Sequence, residues 1–119
     1  MANPNLATAT NIYGGSITTD LNTNSNTIVE NASSSGKMYK VHTLFVSNRS
    51  GSSTGQVTVT IGTTVTQLNI AYQLNVPPDT VIVIIGRDNP VYLKEARLIK
   101  AFAASSNTVT LTCCWDEIS

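Results

Sequence analysis

The stretch that decides the fold is Val109-Thr110-Leu111-Thr112-Cys113-Cys114-Trp115-Asp116. Val109, Leu111, Cys113 and Trp115 occupy every second position, and hydroxylic or polar residues fill the gaps. Successive side chains of a strand point to opposite faces, so this alternation predicts a half-buried β-strand. Val57, Val59 and Ile61 alternate with Thr58 and Thr60 in the same way. A third run predicts a strand with Tyr39, Val41, Thr43 and Phe45 on one side and Met38, His42, Leu44 and Val46 on the other. Tyr39, Phe45 and Trp115 fall on apolar faces and are expected in the core.

Turn residues punctuate these runs: Gly14-Gly15, Ser33 to Gly36, Asn48 to Gly55, Gly62, Pro77-Pro78-Asp79, Gly86 to Pro90 and Ser105-Ser106-Asn107. Their spacing, mostly near 8–12 residues, is that of sandwiches and barrels. The nearest helical signal, Tyr92-Leu93-Lys94-Glu95-Ala96-Arg97-Leu98, is too short to stand alone and reads as a turn with one helical turn inside. The expectation is an all-β chain, an antiparallel β-sandwich of about eight strands. Jelly-roll and immunoglobulin-like strand orders both satisfy the pattern. With 119 residues the chain fits one domain, here 11–119, preceded by a polar segment 1–10.

Composition narrows the function. Charged residues make up only 12%, about half the usual share, and 7 basic residues balance 7 acidic ones. Without a basic stripe to neutralise phosphates, nucleic-acid binding is disfavoured. Sparse charge also leaves little repulsion between copies. The N-terminus lacks the charged and apolar regions of a signal peptide, and the longest apolar run, Val81-Ile82-Val83-Ile84-Ile85, is far too short to span a membrane. Cys113 and Cys114 are adjacent, so on a strand they face opposite ways. They are expected to be free thiols, one buried and one half-buried, in a chain that folds in a reducing cytosol.

The candidate chemistry fails on named requirements. His42 is the one histidine, so nucleophilic catalysis would have to run through it, and it sits inside a strand pattern. The cysteines lack metal-knuckle spacing. Asp20-Leu21-Asn22-Thr23-Asn24-Ser25-Asn26 has the alternating oxygen ligands of a calcium loop. Ser25 stands where that loop needs Gly and Asn31 where it needs Glu, so a polar loop is expected. Asp116 and Glu117 would face opposite ways on a solvated tail, unlike the paired carboxylates of a glycosidase. No enzyme, cofactor or metal is expected. Exposed Tyr13, Tyr72 and Tyr92, if in a row, would instead make a carbohydrate platform.

Two segments suggest interaction. Thr80 to Ile85 is apolar on both faces, whereas a sandwich strand usually keeps one face polar. Either the Pro77-Pro78 loop or the Arg97 region covers the second face, or another subunit does. Residues 1–10 are polar, with Pro4 and a single large apolar side chain, Leu6: a frayed terminus or an arm that orders on a partner.

Several stretches carry a resemblance. They are Ser35-Gly36-Lys37-Met38-Tyr39-Lys40, Leu74-Asn75-Val76-Pro77-Pro78-Asp79-Thr80, Pro90-Val91-Tyr92-Leu93-Lys94-Glu95, Ala101-Phe102-Ala103-Ala104-Ser105-Ser106 and the C-terminal Val109–Ser119. Over roughly residues 30–119 the chain resembles the small β-rich virion proteins of tailed bacteriophages, especially those of cyanobacterial hosts. The resemblance implies a capsid decoration, or cement, protein. Such a protein would be made in the host cytoplasm, carried on the virion surface and bound to the major capsid protein as a homo-oligomer, a trimer in form. Neck, tail or fibre-associated proteins are the alternative. On that reading Val81, Val83 and Ile85, with Asn3, Pro4, Asn5 and Leu6 of the arm, are the expected interface residues.

Overall fold

The computed structural model describes Thr8 and residues 11–106 and 108–119. Nine strands are described: β1 (Ile12–Asp20), β2 (Asn26–Asn31), β3 (Met38–Asn48), β4 (Gly55–Gly62), β5 (Gln67–Val76), β6 (Val81–Ile85), β7 (Val91–Leu93), β8 (Arg97–Ala103) and β9 (Val109–Ile118). They form two antiparallel sheets. One runs in the order β1-β9-β3-β6, with β7 also on β3, and the other in the order β2-β8-β4-β5. The expected β-sandwich is present.

The pairing is nested. The first strand pairs with the last, β2 with β8, β3 with β6 and β7, and β4 with β5. The chain therefore folds as one long hairpin curled over on itself, which is the jelly-roll order. Strands β6 and β7 are two parts of one edge. Val81–Ile85 lies along Ser47 to Leu44, and Val91–Leu93 along Val41 to Tyr39, with residues 86–90 looped out between them. Counted that way, the sandwich has the expected eight strands.

The core lies between the sheets, where the alternating apolar residues meet. Val109, Leu111 and Cys113 of β9 and Val57 and Val59 of β4 are all fully buried, as the alternation predicts. Ile99, Ala101 and Ala103 of β8 join the same cluster. Burial of these side chains removes apolar surface from water at about 25 cal/mol per Å2, the main force closing the sandwich.

Three expectations need correction. In β3 the ladder to β9 shifts between Val41 and Thr43, so His42 is an extra residue and the side-chain parity inverts there. Val41, Leu44 and Val46 consequently share the core, and Phe45 turns to the outer face, half-buried, beside Val83 and Thr112. Residues 92–98 contain no helical turn. They run from β7 through a tight turn, where Ala96 adopts a left-handed φ of 62°, into β8. Pairing to β3 on one side and to β2 and β4 on the other outweighs the local helix propensity. Finally, the C-terminal residues are not a solvated tail: Ile118 is buried, and Ser119 exchanges main-chain hydrogen bonds with Asn11.

Two buried asparagines fasten the loops to this frame. At the end of β3, Asn48 Nδ2 donates to the carbonyls of Ser53 and Val76 at 2.7 and 2.8 Å, and its Oδ1 accepts the Ser50 N–H at 2.8 Å. At the end of β2, Asn31 Nδ2 donates to the carbonyls of Lys37 and Leu93 at 2.8 and 2.9 Å. Each amide satisfies main-chain groups that the turns would otherwise leave unpaired.

Candidate interaction surfaces

The break between β6 and β7 leaves a shallow depression of about 390 Å3 on the outer face of the larger sheet, lined by Lys40, His42, Thr43, Arg87 and Asp116. The β3 bulge places His42 there. Its Nδ1 lies 2.9 Å from Thr43 Oγ1, and its Nε2 lies 3.8 Å from Asp116 Oδ1. A hydroxyl, an imidazole and a carboxylate thus stand in line, but without the geometry of a catalytic triad. A triad carboxylate is buried and hydrogen-bonded to the imidazole, fixing its tautomer. Asp116 is beyond hydrogen-bond reach and more than a third exposed. When His42 is protonated, the contact is a surface ion pair of the kind worth at most about 1 kcal/mol.

Asp116 and Glu117 face opposite ways, as expected. Glu117 meets Lys37 Nζ at 3.2 Å, and Trp115 Nε1 donates to its other oxygen at 3.5 Å. The Trp115 ring stacks with Tyr39, centroids 6.4 Å apart and planes within 8°. Partial burial, then the nearby Glu117 charge and its hydrogen bond, raise the Tyr39 pKa against a smaller opposing effect of Lys37. Trp115 also lies over Gly15, its partner on β1: a Cβ at that position would come within 2.6 Å of Nε1. Glycine is required there because the indole occupies the space of its side chain.

Cys113 is buried, and its pKa is pushed up to about 12, first by burial and then by Cys114. A thiol so seldom ionised is a poor nucleophile. Cys114 is half-buried on the opposite face. In the Asp20–Asn26 segment, Asn22 Oδ1 accepts the Asn24 N–H and the Asn26 amide, while Asp20 binds Thr110 Oγ1 at 2.7 Å and Arg49 at 3.2 Å. The oxygens bind each other's neighbours and the segment is a polar turn. Among the described residues, no three His, Cys, Asp or Glu side chains gather into a set able to hold a metal ion.

Of the expected interface residues, Val81 and Val83 are 59% and 63% exposed. Neither the Pro77-Pro78 loop nor the Arg97 region covers them. Ile85 is buried in the core, because the β3–β6 ladder shifts between Leu44 and Phe45 and turns Ile85 inward after Val83. Asn3, Pro4, Asn5 and Leu6 lie outside the described residues. Tyr13, Tyr72 and Tyr92 are exposed but stand on β1, β5 and β7, in two sheets, and form no row.

The sequence reading missed one surface. Gln56, Thr58, Tyr72, Gln73, Phe102 and Ala104 line a depression of about 280 Å3 on the smaller sheet. It depends on irregularities in the β4–β5 ladder near Val59 and on Gln73, whose φ is 48° and whose N–H donates to Thr58 Oγ1 at 3.2 Å. Only the alternation of β4 and β8, which puts Thr58 and Phe102 on the outer face, hinted at it. The chain matches no protein-family model, and no curated protein matches it.

Proposed function

We propose that this chain is a non-catalytic structural subunit that decorates a tailed-phage virion, binding the major capsid protein and reinforcing the shell. The observation that carries the reading is an uncharged apolar patch on a rigid frame. Val81, Val83 and the half-buried Phe45 adjoin on the outer face of the larger sheet. The jelly-roll order is one that viral capsid domains and lectins share, so architecture adds support at the level of analogy. A cement subunit needs stiffness and several modest contacts, which a symmetric oligomer multiplies into avidity. The low charge suits both self-association and close packing on a shell. A neck or tail subunit is the alternative within the virion.

The test is binding of the purified protein to undecorated capsids. Val83→Asp is expected to weaken binding, and deletion of residues 2–10, which precede the described fold, is expected to abolish it with the fold intact. Copy number in the particle separates the positions: icosahedral multiples mark a shell protein, axial numbers a neck or tail protein. Full binding by both variants would end the proposal.

A second reading is supported by the depression on the smaller sheet, which Tyr72 and Phe102 line together with Gln56 and Gln73. Aromatic faces beside uncharged donors and acceptors suit a neutral sugar. Glycan binding lost in Tyr72→Ala would favour it.

A further inference from the structure

A sandwich has four lateral edges, and each presents main-chain groups to which another strand could add. Three of the four here are blunted. The β6–β7 edge is broken by residues 86–90. Edge strand β2 is short, carries Glu30 and has an irregularity between Thr27 and Val29. Edge strand β5 is irregular around Ala71 and contains left-handed Gln73. Strand β1 has no such device. Its nine residues pair with β9 without a shift, it contains no Pro, Lys or Arg, and its one charge, Asp20, is engaged by Thr110 and Arg49.

The hydrogen bonds at its ends define what the free edge offers. Asn11 and Ser119 exchange both main-chain bonds, at 3.0 and 2.9 Å, and the Leu21 N–H donates to the Val109 carbonyl at 2.9 Å. Bonded and non-bonded pairs alternate along an antiparallel ladder. The odd-numbered residues of β1 therefore bond to β9. The N–H and C=O groups of Ile12, Gly14, Ser16 and Thr18 point to the free edge, where none of the described strands pairs with them.

We propose that this edge pairs with β1 of a second copy, antiparallel about a two-fold axis at Gly15, joining two sheets into one. That register sets Ile12 against Thr18 and Gly14 against Ser16, with about eight main-chain hydrogen bonds. On the inner face it sets Tyr13, 62% exposed in the single chain, against Ile17, an aromatic–β-branched pair of the kind that stabilises sheets. Gly15 meets Gly15 at the axis, where only the absence of side chains admits both Trp115 rings. Residues 12–19 carry no charge, so two copies approach without repulsion, and the Asp20 carboxylates stay outside the paired stretch. Moving the axis to Ser16 would instead press Ile12 against Asp20. The pairing holds whether or not the chain decorates a shell, and it differs from the three-fold form that the phage resemblance implies.

Sedimentation of the full chain over a concentration series tests it. The wild type is expected at twice the 12.7 kDa of one chain. Ser16→Pro removes an N–H that faces the free edge, sparing the ladder to β9, and is expected to weaken the dimer about 100-fold with unchanged circular dichroism. Ser16→Lys, which adds charge beside the axis and keeps the N–H, is expected to do the same, and Val65→Lys, in the exposed turn between β4 and β5, to leave the mass alone. In the wild type, the amides of Gly14, Ser16 and Thr18 are expected to resist hydrogen exchange and to lose that protection on dilution. A wild-type monomer or trimer, fast exchange of these three amides in the undiluted protein, or a dimer untouched by both Ser16 variants would overturn the proposal.

Discussion

Replacing Asn48 by alanine isolates one buried amide. Asn48 is almost fully enclosed and makes three hydrogen bonds to main-chain groups, two as donor and one as acceptor. At about 1 kcal/mol net for each, the direct loss is about 3 kcal/mol. The Ser53 carbonyl is in an exposed loop and regains water, which trims the cost. The Val76 carbonyl belongs to a fully buried residue and recovers nothing, which raises it. The expected loss is therefore about 3 kcal/mol, or about 10 °C in Tm for a domain of this length. Urea unfolding followed by circular dichroism would measure it. Asn48→Asp should be worse, because a carboxylate would face two carbonyls. Ser50→Ala removes bonds at 3.2 and 2.9 Å to the Ser52 and Ser53 N–H groups of the exposed loop and should cost under about 1 kcal/mol. A loss below about 1 kcal/mol for Asn48→Ala, at unchanged m-value, would refute the idea that this amide fastens the loop to the core.

Gly15→Val is expected to displace the Trp115 ring from its stack on Tyr39, costing about 1–3 kcal/mol and shifting the tryptophan emission to the red. Stability is expected to fall at alkaline pH through Cys113. Unfolded, this thiol ionises from its ordinary value of 9.0, whereas the folded thiol holds its proton to about 12. The unfolded state then binds fewer protons, so stability drops between those values by up to about 1.4 kcal/mol per pH unit. Cys113→Val should flatten that slope in pH-dependent unfolding. Alkylation of the native protein should label Cys114 alone, and Cys113 only once denaturant opens the sandwich, as mass spectrometry would count.

Alternation made the central strands legible. Val57 and Val59, and Val109, Leu111 and Cys113, are buried as their spacing demands. What the alternation could not carry was its own interruption. The extra residue at His42 reverses the sides of β3, so Phe45 lies outside and Val41 inside, and the shift beside Phe45 draws Ile85 into the core. A bulge is set by pairing with a distant strand, and nothing in the local pattern marks it. The strand order was illegible for the same reason, because turn spacing counts strands without saying which ones meet. The apolar character of the Val81–Val83 segment was visible in advance, since hydrophobicity on both faces needs no partner to be seen, whereas its exposure emerged only with the fold. The Tyr72–Phe102 depression was not, because Tyr72 and Phe102 come from strands that do not adjoin and Gln73 is turned by an irregular ladder. The free donors of β1 emerge only from hydrogen-bond parity, which residue identity does not encode.

The position of β9 has a consequence in time. The last of the described strands is not at the rim but between β1 and β3. During synthesis β1 has no neighbour in its sheet until residues near 110–118 have emerged. One edge of β3 likewise waits for β9, although its other edge can pair with β6 and β7 earlier. The sheet that holds β1 and β3 therefore cannot close until β9 has been made. Such long-range closure is slow, and sticky intermediates precede it. The chain is therefore expected to be most vulnerable to aggregation before β9 has emerged, and deletions that remove β9 to be far more damaging than equal deletions within a loop.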